Sequence, residues 1–207
     1  MCMPHFFKQV PSISLKDPLS DVLGASASGV LSYTYEDVVK LAGHSCPTTA
    51  GVYLMLLKGL EKLYGDSLPQ RGNIRVTVKG VLGEGTVGVV ANIVTMVTGA
   101  TEQSGFHGIG GKFDRRNLLT FDETLPYDLV LERLDTHRRV GLNYNPAIVF
   151  SDPKMGEWMQ SVIAGSADDD VKGWFKNGWQ ERVRRILIDY RDEPVLVKAS
   201  LIDPDRL

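Results

Sequence analysis

The stretch that decides the fold runs from residue 43 to residue 64 and reads GHSCPTTAGVYLMLLKGLEKLY. From Pro47 to Tyr64 the apolar residues recur at helical spacing in two stripes, which predicts a helix that is apolar over most of its circumference. Pro47 suits the first helical position, and Gly65 directly after the segment is typical of a helix end. We therefore expect this helix at the centre of the fold.

The segments that follow predict a sheet. Apolar and polar residues alternate over residues 74–79, which indicates a strand, and residues 86–97 are apolar at most odd positions and are predicted to be its hairpin partner. Further short strands are expected at residues 118–121, 127–134 and 140–144. Short strands grouped between helices indicate an α+β fold, with an antiparallel or mixed sheet packed against the central helix.

The two ends of the chain differ in character. Residues 1–30 contain several prolines and predict an irregular lead-in with one helical turn at residues 19–23. Residues 150–207 are predicted to form a C-terminal helical extension with a candidate edge strand near its end. Within it, three aspartates at 168–170 and three arginines at 182–185 are placed to favour a helix dipole. Because we find no internal repeat and no linker-like change in composition, residues 1–207 are expected to form a single domain.

Composition limits the classes of function. The chain has 23 basic and 25 acidic residues, so the whole molecule has no charge-based attraction to nucleic acid or to an anionic membrane. No apolar run approaches the roughly 20 residues that span a bilayer, and the N-terminus lacks a secretory-signal pattern. Two cysteines, Cys2 and Cys46, supply neither a disulfide framework nor a four-cysteine zinc ribbon. These features together favour the reducing cytoplasm.

The densest chemical signal is Gly43-His44-Ser45-Cys46-Pro47, directly before the central helix. Pro47 favours an extended Cys46, and in an extended segment side chains two positions apart project to the same side, so His44 and Cys46 are expected to face one pocket. At the N-cap, the positive end of the helix stabilises a thiolate that binds metal or reacts. The alternative is that Cys46 is a small buried hydrophobe and His44 an ordinary loop histidine.

A second signal is the glycine-rich stretch, residues 105–112, in which four glycines surround His107. It matches neither a P-loop nor a dinucleotide-binding fingerprint. The stretch is either a flexible connector with an exposed histidine or a place where the backbone approaches a ligand closely. Glu102 and Arg115 flank it, Lys112 is its last residue, and all three are candidate cofactor-binding residues, since the two cations are able to bind an anion.

His44, Cys46 and His107 form a candidate set of metal ligands. Imidazole and thiolate suit zinc or another divalent transition metal, and three protein ligands would leave one coordination position open. The leading prediction is a metal-binding protein linked to cofactor handling or metalloenzyme maturation. The alternatives are a zinc-dependent hydrolase with Glu102 as general base, an enzyme that uses Cys46 as a metal-free nucleophile on a small molecule, and a purely structural or interaction protein.

Two segments of the chain carry a family resemblance. Residues 43–47, with Gly51 one turn into the following helix, and the later stretch from Gly105 to Asn117 resemble the FmdE-like family, which is named for one of the subunits of formylmethanofuran dehydrogenase. The resemblance covers residues 15–145. It implies an α+β fold, a homodimer, and a metal, usually taken to be zinc, bound near the His-x-Cys-Pro turn.

The resemblance transfers to individual residues only in part. His44 and Cys46 match the family motif directly, whereas His107 stands where relatives often have a cysteine, so its role as a replacement ligand is an inference. The cysteine-rich zinc ribbon that ends many relatives is replaced here by a segment containing Trp174 and Trp179. The family implies little about the substrate, so the small-molecule ligand that we expect has no assigned identity.

Overall fold

The computed structural model describes residues 3–203, so that Cys2 lies outside the described residues, and the fold is α+β. Within these residues the strands and α-helices follow in the order β1 (Ile13–Lys16), α1 (Pro18–Val22), β2 (Val30–Tyr33), α2 (Tyr35–Ala42), α3 (Pro47–Tyr64), β3 (Ile74–Lys79), α4 (Val87–Thr98), β4 (Leu119–Asp122), β5 (Leu129–Arg133), β6 (Arg139–Tyr144), α5 (Met155–Ile163), α6 (Asp169–Arg184) and β7 (Val197–Ile202). Single 3₁₀ turns cover His5–Gln9 and Pro146–Ile148, and α6 continues into a π-helical stretch at Arg185–Asp189.

The strands form two sheets. β1 and β2 pair antiparallel as a small sheet, and the main sheet has the order β4-β3-β5-β6-β7. β3 runs parallel to β4 and antiparallel to β5, so the main sheet is mixed. β7 lies at its edge, where the sequence predicts an edge strand.

Helix α3 lies at the centre of the fold, with the bounds that the sequence predicts. Every residue from Thr49 to Leu56 is buried, and the helix packs against β6, β7 and α4. A Cβ at Gly59 would lie 2.7 Å from Leu142 and 2.8 Å from Leu131, so a larger residue here would displace these two side chains of the sheet. The close contact of α3 with the sheet fixes the position of its N-terminal end.

The hairpin predicted for residues 86–97 is wrong, because this segment is helix α4. Its valines, isoleucine and threonines favour a strand by intrinsic propensity, but tertiary burial overrides that preference. Apolar residues also occupy the even positions 90, 94 and 96, so apolar odd positions are not evidence of alternation. The buried residues Ala91, Val94 and Thr98 recur at helical spacing, and Gly99 ends the helix in the left-handed conformation, with φ at 76°.

The ends of the chain are more regular than the sequence predicts. The helical turn predicted at residues 19–23 is present as α1, but residues 3–30 also contain β1 and the start of β2, so they are not an irregular lead-in throughout. Ile13 and Leu15 are buried and alternate with Ser14 and Lys16, a pattern too short to be recognised in the sequence. In the C-terminal extension the aspartates begin α6 and the arginines end it, as predicted. Within residues 3–203, no helix combines the length and apolar character needed to cross a membrane.

Candidate functional site

The N-terminal end of α3 has Cys46 as its N-cap residue. Cys46 is extended, with φ −149° and ψ 170°, as a residue before proline should be. The Thr49 N–H donates to Cys46 Sγ at 3.4 Å, and the Cys46 N–H donates to Thr49 Oγ1 at 3.0 Å. This is a reciprocal capping box in which sulfur replaces the usual oxygen. The sulfur therefore lies at the N-terminal end of the helix with an amide donor directed at it.

A chain of hydroxyl groups supports the cap from below. Thr49 Oγ1 donates to the Cys46 carbonyl at 2.9 Å, so Tyr35 must donate its own proton to Thr49 Oγ1, 3.0 Å away, and can accept from Ser45 Oγ at 3.0 Å. Thr49 and Tyr35 are fully buried. Burial raises the pKa of Tyr35 to about 12, so the phenol stays protonated. Tyr35 therefore remains a hydrogen-bond donor to Thr49.

His44 lies in the short connection between α2 and α3, two residues before Cys46. Gly43 ends α2 in the left-handed conformation, with φ at 75°. The His44 side chain is exposed, and its Nδ1 lies 2.9 Å from the Ala42 carbonyl oxygen. Because a carbonyl only accepts, Nδ1 carries the proton, and in the neutral ring Nε2 keeps its lone pair. His44 therefore offers Nε2 as a ligand or a base.

The C-terminal extension holds this connection in place. Ser45, between the imidazole and the thiol, accepts hydrogen bonds at its carbonyl from Trp179 Nε1 at 2.9 Å and from Gln180 Nε2 at 3.3 Å. Arg182 in turn donates to the carbonyls of Val149 and Pro146, which ties α6 to the segment after β6. The extension thus contributes directly to the position of His44 and Cys46.

Tyr144, at the end of β6, closes the other side of the helix end. Its hydroxyl donates to the Pro47 carbonyl at 2.8 Å. Its ring lies on Gly51, where no Cβ has room. Burial raises the pKa of Tyr144, so this phenol also stays a donor.

A cleft of about 330 Å³ opens beside Tyr144, between the N-terminal ends of α3 and α4. His44 and Cys46 do not line it. Its polar lining comes from Thr48, Lys79, Thr86 and Asp128, and its apolar lining from Val52, Met55, Val78, Val87, Val90, Tyr144 and Pro146. The cleft is therefore mainly apolar, with a few polar groups.

The glycine-rich stretch is organised around different partners. Arg115, just beyond it, is buried and donates to Asp17 Oδ1 at 2.8 Å, while Arg71 donates to Asp17 Oδ2 at 2.9 Å. The Arg115 guanidinium fills the space in which Gly72 and Gly99 would carry a Cβ. The sequence predicts that Arg115 binds a cofactor anion, and in the structure its anionic partner is Asp17.

The electrostatics of Asp17 reflect these two arginines. Burial alone would raise the pKa of its carboxyl, but hydrogen bonds from the Ser20 N–H and from Arg71, together with the charge of Arg115, outweigh burial and lower it. Asp17 is therefore held as a carboxylate, in contact with Arg115 just after the glycine-rich stretch.

The other candidate site residues in and beside the glycine-rich stretch are on the surface. His107, Glu102 and Lys112 are exposed. Lys112 exchanges backbone hydrogen bonds with Ile109 in a tight turn, at 2.9 and 3.0 Å. Asp114 next to the stretch pairs with Arg116 at 2.6 Å. The cofactor-binding roles of Glu102 and Lys112 stay predictions.

The three candidate metal ligands do not assemble into one site in this structure. Residues 3–203 contain no group of three or more His, Cys, Asp or Glu side chains that could hold a metal ion. His44 and Cys46 fit a metal by donor type, and the hydrogen bond at His44 Nδ1 is the kind that orients a ligating imidazole. The two residues therefore supply donor types that suit a metal, and a complete site would need further donors from elsewhere.

Sequence reasoning misses the side chains that hold the site together. Thr49 is recognisable, because it stands three residues after the N-cap, in the position that completes a capping box. Gly51 inside a helix is a sign of close approach by another group. Tyr144 and Trp179 give no local signal, since they follow their hydrogen-bond partners by 97 and 134 residues.

Comparison with known proteins leaves the chain without an assigned family. No protein-family profile matches it, and no curated protein matches it at a significant level. Among solved structures, it is similar to a tungsten formylmethanofuran dehydrogenase FmdE-like protein from Syntrophus aciditrophicus, with 16% identity and a TM-score of 0.40. The match covers 84% of this chain and 75% of that one. So low a TM-score carries no weight in any argument on ligands or function.

Proposed function

We propose that this protein binds zinc or a related divalent transition metal at the N-terminal end of α3, through Cys46 Sγ and His44 Nε2. The supporting observation is the position of Cys46 Sγ, which lies at the N-cap of α3 and accepts a hydrogen bond from the Thr49 N–H. His44, two residues before Cys46, has its Nδ1 hydrogen-bonded to the Ala42 carbonyl. Thiolate and imidazole are the donor types that suit such metals, and the carbonyl contact is how proteins orient a ligating histidine.

Two ligands from one chain leave coordination positions for other donors. We propose that these positions receive a small-molecule ligand or a donor from a second copy of the chain, in a task linked to cofactor handling or metalloenzyme maturation. His107 is not needed for this minimal site. The exposure of His44 supports the proposal, because a donor from outside the chain has access to its ring.

Metal affinity in single variants tests the proposal. We expect untagged protein to bind one equivalent of zinc in competition with a chromophoric chelator, and Cys46→Ser and His44→Gln each to weaken binding at least about tenfold. Cys2→Ser and His137→Gln serve as matched controls, the latter because His137 is an exposed histidine that contacts Glu132 instead. Wild-type zinc affinity in Cys46→Ser would overturn the proposal. A loss of zinc affinity in His107→Gln would show that His107 is a third ligand, as the sequence predicts.

A second candidate is an enzyme in which Cys46 acts as a nucleophile without metal. The hydrogen bond from the Thr49 N–H to Sγ favours it, because it fixes the position of the sulfur at the helix end. Alkylation by iodoacetamide separates the two functions. A metal-bound thiolate reacts slowly until a chelator removes the metal, whereas a free thiolate reacts at the same rate with zinc present or absent.

A further inference from the structure

We propose that the cleft between the N-terminal ends of α3 and α4 binds a small monocarboxylate with an apolar body. This site is separate from the metal site, because neither His44 nor Cys46 lines it. The two share one wall, since Tyr144 lines the cleft and also donates to the Pro47 carbonyl. The proposal does not depend on metal binding.

The cleft is lined by a cationic side chain and by the N-terminal ends of two helices. Thr48 is the second residue of α3, so its N–H has no intrahelical acceptor. α4 starts at the same cleft, and the side chain of its N-cap residue, Thr86, makes no capping hydrogen bond. Lys79 projects from the end of β3 and forms no salt bridge with any residue from 3 to 203. Two helix N-termini and the ammonium group of Lys79 together favour an anion.

The remaining walls of the cleft favour an apolar body. Val52 and Met55 of α3 face the cleft from one side, and Val87 and Val90 of α4 from the other. Burial of a short hydrocarbon chain between them removes apolar surface from water, which favours binding. A volume of about 330 Å³ lies within the range of small-ligand sites.

Asp128 limits the charge of the ligand. Its Oδ2 accepts the Tyr144 N–H at 2.8 Å, and the residue lines the cleft together with the cationic groups. A phosphate group, which carries up to two negative charges, would be repelled by this carboxylate more strongly than a group with one charge. Lys79 and Asp128 are the charged groups that line the cleft. Their balance therefore favours a carboxylate over a phosphate.

Calorimetric titration of metal-free protein with hexanoate tests the proposal. Hexanamide is the neutral control of the same shape, and inorganic phosphate is the doubly charged one. We expect one hexanoate per chain and binding at least about tenfold weaker for hexanamide. Lys79→Gln should weaken the affinity for hexanoate about fivefold or more and leave the affinity for hexanamide unchanged. Lys198→Gln, at an exposed position of β7, should change neither affinity.

A variant that fills the cleft gives an independent readout. Val90 of α4 is half-buried and lines the cleft, so Val90→Trp places a large side chain there and should abolish hexanoate binding. Circular dichroism checks that the variant is folded. Absence of saturable hexanoate binding, equal binding of hexanamide, tighter binding of phosphate, or unchanged binding in Val90→Trp would each overturn the proposal. All titrations contain a chelator, so failure here leaves the metal proposal standing and failure of the metal proposal leaves this one standing.

Discussion

The N-terminal end of α3 and the glycine-rich stretch each present a histidine, but the fold supports them differently. At the end of α3, side chains from α2, β6 and α6 form hydrogen bonds with Ser45 and Pro47, the residues on either side of Cys46. The glycine-rich stretch is shaped by backbone turns. Its nearest buried ion pair is formed by Arg115, just after the stretch, and Asp17. A reactive side chain needs neighbours that fix its orientation, and only the first region supplies them.

The largest expected effect comes from breaking the support of the glycine-rich stretch. Asp17→Asn keeps the cap of α1, since asparagine caps as well as aspartate, but leaves Arg71 and Arg115 without a carboxylate. We expect the free energy of unfolding to fall by about 3 kcal/mol, because removal of one partner strands buried charge. Urea denaturation measures the loss.

The matched control is an aspartate–arginine pair on the surface. Asp135→Asn removes the exposed partner of Arg133, and the expected loss is below about 1 kcal/mol. If the two regions are supported separately, zinc affinity should be the same in Asp17→Asn as in the wild type. A large loss of affinity would show that they are coupled.

Acid should weaken the same support gradually. The pKa of Asp17 is lower in the folded protein than in the unfolded chain, so its contribution to stability is fully present above the unfolded value, about 3.9. That contribution is lost as the pH falls through the folded value. The difference in stability between wild type and Asp17→Asn should therefore shrink on acidification from about pH 6 to pH 3, as urea denaturation would measure. A constant difference would contradict the role of Asp17 as a carboxylate.

A smaller effect is expected from disturbing the end of α3. Gly51→Ala adds a methyl group where the Tyr144 ring lies, so the ring and its hydrogen bond to Pro47 must move. We expect a loss of about 1–3 kcal/mol in the free energy of unfolding, together with weaker zinc binding. Gly83→Ala is the control, since nothing lies near that position, and it should change stability by less than about 0.5 kcal/mol.

The smallest effect tests the contribution of the C-terminal extension. Trp179→Phe keeps an aromatic ring but removes the N–H that donates to the Ser45 carbonyl. We expect a loss of about 1 kcal/mol in stability and a decrease of about tenfold in zinc affinity, because the connection that carries His44 and Cys46 loses a fixed point. Trp174→Phe, on the exposed part of α6, should leave zinc affinity unchanged.

The sequence predicts those features that depend on nearby residues. Pro47 and Gly65 mark both ends of α3, and the same proline identifies Cys46 as its N-cap. Helix α4 cannot be assigned from alternation, because apolar residues occupy even as well as odd positions. Gly99 is the local sign of its helical end.

The candidate site is less predictable than the fold, because its supports come from distant parts of the chain. The spacing of His44 and Cys46 places them in one connection, but no pattern relates them to Tyr144 or Trp179. The predicted third ligand, His107, depends on bringing together two segments some sixty residues apart, and spacing along the chain does not determine such proximity. The structure has no ligand group of that kind among residues 3–203.

X-ray absorption at the zinc edge of the loaded protein tests the central claim most directly. We predict one sulfur ligand at about 2.3 Å and at least one imidazole nitrogen at about 2.0–2.1 Å per zinc ion. The sulfur should persist in Cys2→Ser and vanish in Cys46→Ser. A first shell with only oxygen and nitrogen in the wild type, or a sulfur signal that survives Cys46→Ser, would contradict the account.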